Sequence, residues 1–210
     1  MFGILVFGDS ISFGNGEYPH IGWAGRLKSY FEDTFNNLFN LAIPGETTTG
    51  LLERMETELA ARARYLRPED RFVVLLAIGI NDSKGLGSHE NLQTDPETFQ
   101  KNVPELIRIA KRHTDEVHVL GLTPVDEKVL NPFEGTYFSN ERIKRYDLIL
   151  KENAREHGVG YLHLFDHLSG EDLSELLQDG IHPNSDGYEM LYGIVSSYLR
   201  EKGVLDGDAS

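Results

Sequence analysis

The chain has 210 residues, a formal net charge of −14 and no cysteine. That length suffices for one α/β domain with a continuous apolar core, and the missing thiols exclude a disulfide scaffold, a thiolate metal centre and a cysteine nucleophile. Acidic residues spread along the whole chain repel phosphate backbones and anionic lipid headgroups, so nucleic acid is excluded as a partner.

The opening MFGILVFGDS holds an apolar run too short to cross a bilayer, with no basic leader before it and no small-residue cleavage site after it. It reads as a first buried strand, Phe2 to Phe7. With no later stretch of membrane-spanning length, the expected location is cytoplasmic, without integral membrane contact. From Gly22 to about Asn36, Trp23, Leu27, Tyr30 and Phe31 recur at helical spacing. Leu38 to Ala42 is a second strand. Thr48 to Leu66 is a helix with Leu51, Leu52, Met55 and Leu59 on one face, stopped by Pro68. Phe72 to Ile78 is the third and most apolar strand.

Asp95 followed by Pro96 starts the next helix, which Pro104 is expected to kink or split. Val117 to Leu122 is strand four. A loop carrying Asn131, Pro132 and Gly135 precedes a long helix from about Ser139 to His157. Tyr161 to Phe165 is strand five, with His163 alternating among apolar neighbours, and Asn184 to Lys202 is the closing helix. Gly203 to Ser210 reads as a frayed tail. Strands and helices alternate almost strictly, and the strands are continuous apolar runs of the kind buried on both faces. The expected architecture is a single α/β domain over residues 1–210: a three-layer α/β/α sandwich with a five-stranded parallel sheet, flavodoxin-like.

In such sheets ligands bind beyond the carboxyl ends of the strands. Four of these ends are informative: Gly8-Asp9-Ser10, the run Asn40 to Gly45, Gly79-Ile80-Asn81-Asp82, and Asp179-Gly180-Ile181-His182-Pro183. Each is ordinary alone. Gly-Asp-Ser after a strand is usually a turn, Asn81-Asp82 a loop cap, Gly45 a turn glycine, and Asp179 with His182 a surface ion pair or half a metal site. Their joint position at one edge of the sheet points to catalysis. A serine hydroxyl needs a base whose proton is exchangeable near neutrality, which suits His182, and a carboxylate on the far ring nitrogen fixes the tautomer. Asp179 reaches that nitrogen if the segment turns once, and Pro183 biases His182 towards extended angles. On this reading turnover rises as the imidazole loses its proton.

Together the four blocks, in this order from Gly8 to Pro183, resemble those of the SGNH (GDSL-type) hydrolase family. Block one departs in having Ile11 where the family usually has leucine. The resemblance implies Ser10 as nucleophile, Asp179 and His182 as its acid and base partners, and Ser10, Gly45 and Asn81 as oxyanion-hole donors. It implies an esterase or lipase acting on a small-molecule ester without metal or other cofactor. Thioesterase, lysophospholipase, carbohydrate deacetylase and acyltransferase share the same blocks. A catalytically inactive binding module is the alternative of another class.

Other signatures fail. Gly14-x-Gly16 lacks its third glycine at Pro19, Gly85-x-Gly87 lacks one at Glu90, and Ser12 stands where a nucleophile elbow needs its second glycine. The segment from Val125 to Phe138 follows strand four and carries Phe133, Tyr137 and Phe138, which are expected to contact the acyl side of the substrate or form a lid. The pattern leaves the oligomeric state and the natural ester open.

Overall fold

Phe2 to Gly8 is apolar at nearly every position because the strand it forms, β1, is covered on both faces; Ile4 to Phe7 are wholly inaccessible to solvent. The computed structural model describes residues 2–31, 37–64, 66–67, 69–130 and 132–205. After β1 come α1 (Ser10–Phe13), α2 (Gly22–Lys28), β2 (Asn37–Asn40), α3 (Thr48–Ala63), β3 (Arg71–Ala77), β4 (Gly85–Leu86), α4 (Pro96–Lys111) and β5 (Glu116–Leu120). The chain continues with α5 (Glu127–Leu130), β6 (Thr136–Tyr137), α6 (Asn140–Glu156), β7 (Gly160–Leu162), α7 (Leu164–Leu168), α8 (Leu173–Leu176) and α9 (Ser185–Glu201).

Five strands pair in parallel in the order β2-β1-β3-β5-β7, which is the expected sheet. The chain leaves β1 towards one edge and returns to extend the sheet from β3 towards the other, so the direction of winding reverses between these two strands. Their register runs from Phe2 opposite Arg71 to Gly8 opposite Ala77, which brings the segments after Gly8 and Ala77 to one edge. Helix α2 packs against α9, while α4 packs against both α3 and α6, giving the helical layers.

The helix stripes explain the ends. In α3, Thr48, Leu51, Met55 and Leu59 are buried at intervals of three and four, and Thr47 caps the start by accepting from the Gly50 amide. Asp95 and Ser139 cap α4 and α6 in the same way.

Several expectations need correction. Helix α2 ends at Lys28, although Tyr30 and Phe31 still pack against the core; residues 32–36, where the helix was expected to end, lie outside the described residues, as does Pro68. Pro104 does not split α4. It removes one backbone donor, but the buried stripe of Phe99, Val103, Leu106, Ile107 and Ala110 holds a single helix across it. Strand five is shorter than expected, ending at Leu162, and the following apolar residues Leu164, Phe165 and Leu168 form the buried face of α7. His163 is therefore a helix N-cap, partly exposed, rather than a strand residue. The loop before the long helix contains α5 and β6. Gly203 to Leu205 do not fray: Val204 and Leu205 are buried and Arg71 donates to the Gly203 carbonyl at 2.8 Å, while residues 206–210 lie outside the described residues.

Candidate active site

The sheet delivers Ser10 directly. β1 ends at Gly8, Asp9 takes an extended conformation and caps α1 by accepting the Ile11 amide at 3.0 Å, and Ser10 is the first helical residue. As the first residue of a helix, Ser10 has an amide without an intrahelical acceptor. Asp9 is buried, and desolvation pushes its carboxyl up to about 7, against the opposing pull of the Ile11 amide and the charge of His182. The cap contact of Asp9 anchors the turn on which Ser10 stands.

At the other end of the chain, the segment before α9 folds back on itself. Gln178 N donates to His182 O at 2.8 Å and Asn184 N donates to Leu176 O at 2.9 Å, with Leu177 and Pro183 bridged as antiparallel neighbours. Within this bend Asp179 Oδ1 accepts the amides of Ile181 and His182 at 3.0 and 2.8 Å. Its Oδ2 lies 2.7 Å from His182 Nδ1, and His182 Nε2 lies 2.9 Å from Ser10 Oγ. One tautomer serves both contacts: Nδ1–H donates to the carboxylate, and Nε2 accepts from the hydroxyl. Burial works to raise the Asp179 pKa, but the hydrogen bond and charge of His182, with the two amides, hold it below the usual carboxylate range.

The segments carrying Gly45 and Asn81 reach the same edge. Ile43 N donates to Gly8 O at 3.0 Å, and Glu46 N donates to Ile43 O at 3.1 Å, closing a turn over Pro44 and Gly45. Gly45 has φ +81°, which the third position of a type II turn requires and a side chain resists. Asn81 lies four residues beyond the end of β3 with its side chain buried and its Nδ2 without a hydrogen-bond partner among the described residues. Asp82, completely buried, joins the two segments: its carboxylate accepts Thr48 N at 3.0 and 3.2 Å and Thr48 Oγ1 at 2.6 Å. A carboxylate at the first turn of α3 also meets the positive end of that helix.

The three aromatic residues proposed for acyl contact part company. Phe133 sits edge-on to His182, ring centroids 6.1 Å apart. Tyr137 lies on the antiparallel pair of β4 and β6 and packs against His89 at 4.9 Å. Phe138, just past β6, is buried in the core instead of exposed as a lid residue would be.

Two further residues organise the rim. Arg142 of α6 donates to the carbonyls of Ser83, His89 and Tyr137, fastening the segment after Asn81 to both sides of the small sheet. Behind His182 runs residue 16, where a Cβ would lie 2.9 Å from His182 Cβ and 2.3 Å from Pro183 O, so only glycine fits. Glu17 fixes that segment: its buried carboxylate accepts Gly22 N at 2.6 Å, Arg26 at 2.7 and 3.0 Å and Ser185 Oγ at 3.0 Å. Nothing in the sequence marks Arg142 or Glu17, whereas Asp82 stands in the block after strand three, where alone it reads as part of a loop cap.

Among the described residues no cluster of three or more His, Asp or Glu is arranged to hold a metal ion, and no helix is long and apolar enough to cross a membrane. Residues 6–190 match the model of the GDSL-like Lipase/Acylhydrolase family. No curated protein matches the chain. Among solved structures, the lipase/acylhydrolase from Enterococcus faecalis is similar at 22% identity and TM-score 0.76, covering 96% of this chain and 97% of that one. TesA is similar at 24% identity and TM-score 0.71, covering 97% and 99%. Axe2, an acetyl xylan esterase from Geobacillus stearothermophilus, is similar at 18% identity and TM-score 0.72, covering 99% and 97%, and catalytic mutants of it at a serine and a histidine are similar too.

Proposed function

The chain belongs to the GDSL-like lipase/acylhydrolase family, and from that premise we propose that it cleaves carboxylic esters through an acyl-serine intermediate. The observation that carries this reading is the continuous hydrogen-bonded path from Asp179 through His182 to Ser10 Oγ, at 2.7 and 2.9 Å. The structural likeness to Axe2, whose catalytic mutants alter a serine and a histidine, agrees with it.

Ser10 Oγ attacks the ester carbonyl as its proton passes to His182 Nε2. The resulting imidazolium is stabilised by Asp179, which stays ionised. The former carbonyl oxygen, now negative, is received by the Ser10 and Gly45 amides and Asn81 Nδ2, the last of which has no competing acceptor among the described residues. Collapse of the intermediate breaks the ester C–O bond, and His182 returns the proton to the departing alcohol. Water then repeats the sequence on the acyl-serine, releasing the acid and restoring Ser10. No step uses a metal.

A fluorophosphonate probe tests the reading. It is expected to label the wild-type protein at Ser10 and to leave Ser10→Ala unlabelled; a folded wild-type protein that resists the probe and hydrolyses no ester is instead a binding module. Among substrates, p-nitrophenyl esters, acyl-CoA thioesters and acetylated sugars assayed side by side separate esterase from thioesterase and deacetylase. Adding alcohol acceptors exposes transferase activity.

A further inference from the structure

We propose that Lys84 is a positioning residue for the oxyanion hole, holding the Asn81 carboxamide with its N–H end towards the substrate. This rests on the esterase reading, within which nothing so far accounts for how Asn81 is oriented.

A carboxamide is nearly symmetrical in shape but has opposite chemistry at its two ends. Rotated by half a turn, Asn81 fills the same space yet presents a carbonyl oxygen to the developing negative charge, turning a stabilising group into a repelling one. The distinction comes from Lys84 Nζ, 3.2 Å from Asn81 Oδ1. An ammonium group has three donors and no acceptor, so it admits only the oxygen as neighbour. Nδ2, in a side chain 6% exposed and lacking any other partner, is then directed away from the lysine. The positive charge behind the carbonyl also draws electron density from the amide, making its N–H a better donor.

The backbone keeps the lysine in place. Lys84 N donates to Asn81 O at 3.4 Å, Ser83 Oγ donates to Ile80 O at 2.8 Å, and Gln93 N donates to Lys84 O at 2.8 Å. The turn thus sets residues 81 and 84 on the same side. The ammonium is half-buried, and burial lowers its pKa, while the carboxylates of Asp9 and Asp82 favour its charged form. A salt bridge does not account for its location: its hydrogen-bond partner is a neutral amide oxygen.

The test is a double-mutant cycle on the full chain with a short p-nitrophenyl ester. Lys84→Met is expected to lower kcat roughly 10- to 100-fold, part of the ~10² to 10³ that one oxyanion donor contributes, with KM nearly unchanged. Affinity for a boronic acid, whose serine adduct is tetrahedral and anionic, should fall in parallel, and Lys84→Arg should recover most of both losses. In an Asn81→Ala background Lys84→Met should have almost no further effect, since there is no amide left to orient. Equal losses in both backgrounds, or unchanged kcat in the single variant, overturn the proposal. Should Lys84→Met fold poorly by circular dichroism, Lys84→Leu, likewise without a donor, supplies the same comparison. A wild-type protein without any esterase activity or probe labelling would defeat the esterase reading itself, a result distinct from either of these.

Discussion

The two halves of the site are built by opposite strategies. Ser10 and Asn81 stand at the ends of neighbouring central strands and are each 6% exposed, with Asp82 behind them at 0%. His182 and Asp179 hang on a bend between the short α8 and the long α9, with side chains 13% and 32% exposed. In the first half the sheet fixes positions through long-range pairing. In the second, one carboxylate organises its own three-residue surroundings. On the proposed mechanism the attacking hydroxyl and the Asn81 donor thus sit at the sheet edge, while the proton-carrying ring rests on a locally wound support. The Ser10–His182 contact spans the two.

The largest expected effect comes from cutting that span. Ser10→Ala and His182→Ala should each lower kcat by on the order of 10⁴- to 10⁶-fold, and the double variant should lose little more, because the residues act as a unit. Steady-state kinetics on one p-nitrophenyl ester decides it; additive losses would mean that the two do not cooperate.

A smaller effect should come from the rigid half. Asp82→Ala removes the acceptor for Thr48 N and Oγ1 that joins the segment after β3 to the start of α3. The expected loss is about 3 kcal/mol of stability, in line with one or two hydrogen bonds to a charged group, together with a fall in kcat. Thermal melting and kinetics on the same sample check both. A variant that melts lower but turns over normally would mean that the oxyanion segments do not depend on this brace.

The smallest effect concerns pH. Asp9 titrates near 4 when unfolded and at about 7 when folded, so between those values the native state holds a proton that the unfolded state has released. Stability on this account is greatest below the lower value and falls as pH rises to the upper one. Asp9→Asn keeps an oxygen for the Ile11 amide and removes the titration. Its denaturant midpoint should therefore decline less than that of the wild type from about pH 5 to 8. The decline should be flattened rather than abolished, because burial also raises Asp82 and Asp147. Parallel curves would show that Asp9 is not the group responsible.

What the sequence disclosed follows the same division. Parallel strands buried on both faces appear as unbroken apolar runs, so β1, β3 and the order of elements were legible, and the residues following them could be inspected for chemistry. The Asp179–His182 contact was legible because it spans three positions. Phe138 was misjudged because an aromatic residue in a loop has no periodicity to reveal which side it faces. The clamp by Arg142 and the anchor at Glu17 left no trace, since each depends on carbonyls or side chains brought together only by the finished fold. Pro104 misled for the converse reason: local propensity argued for a break, and packing overruled it.

The bare backbone at Gly16 has a consequence for how this enzyme class can vary here. Two passages from opposite ends of the chain compete for one small volume, and His182 Cβ with the Pro183 carbonyl already occupies it. Any substituent added at residue 16 therefore presses first on the Pro183 carbonyl and next on His182 Cβ, so this inconspicuous position bears on the stance of the ring without contributing an atom to the proposed chemistry.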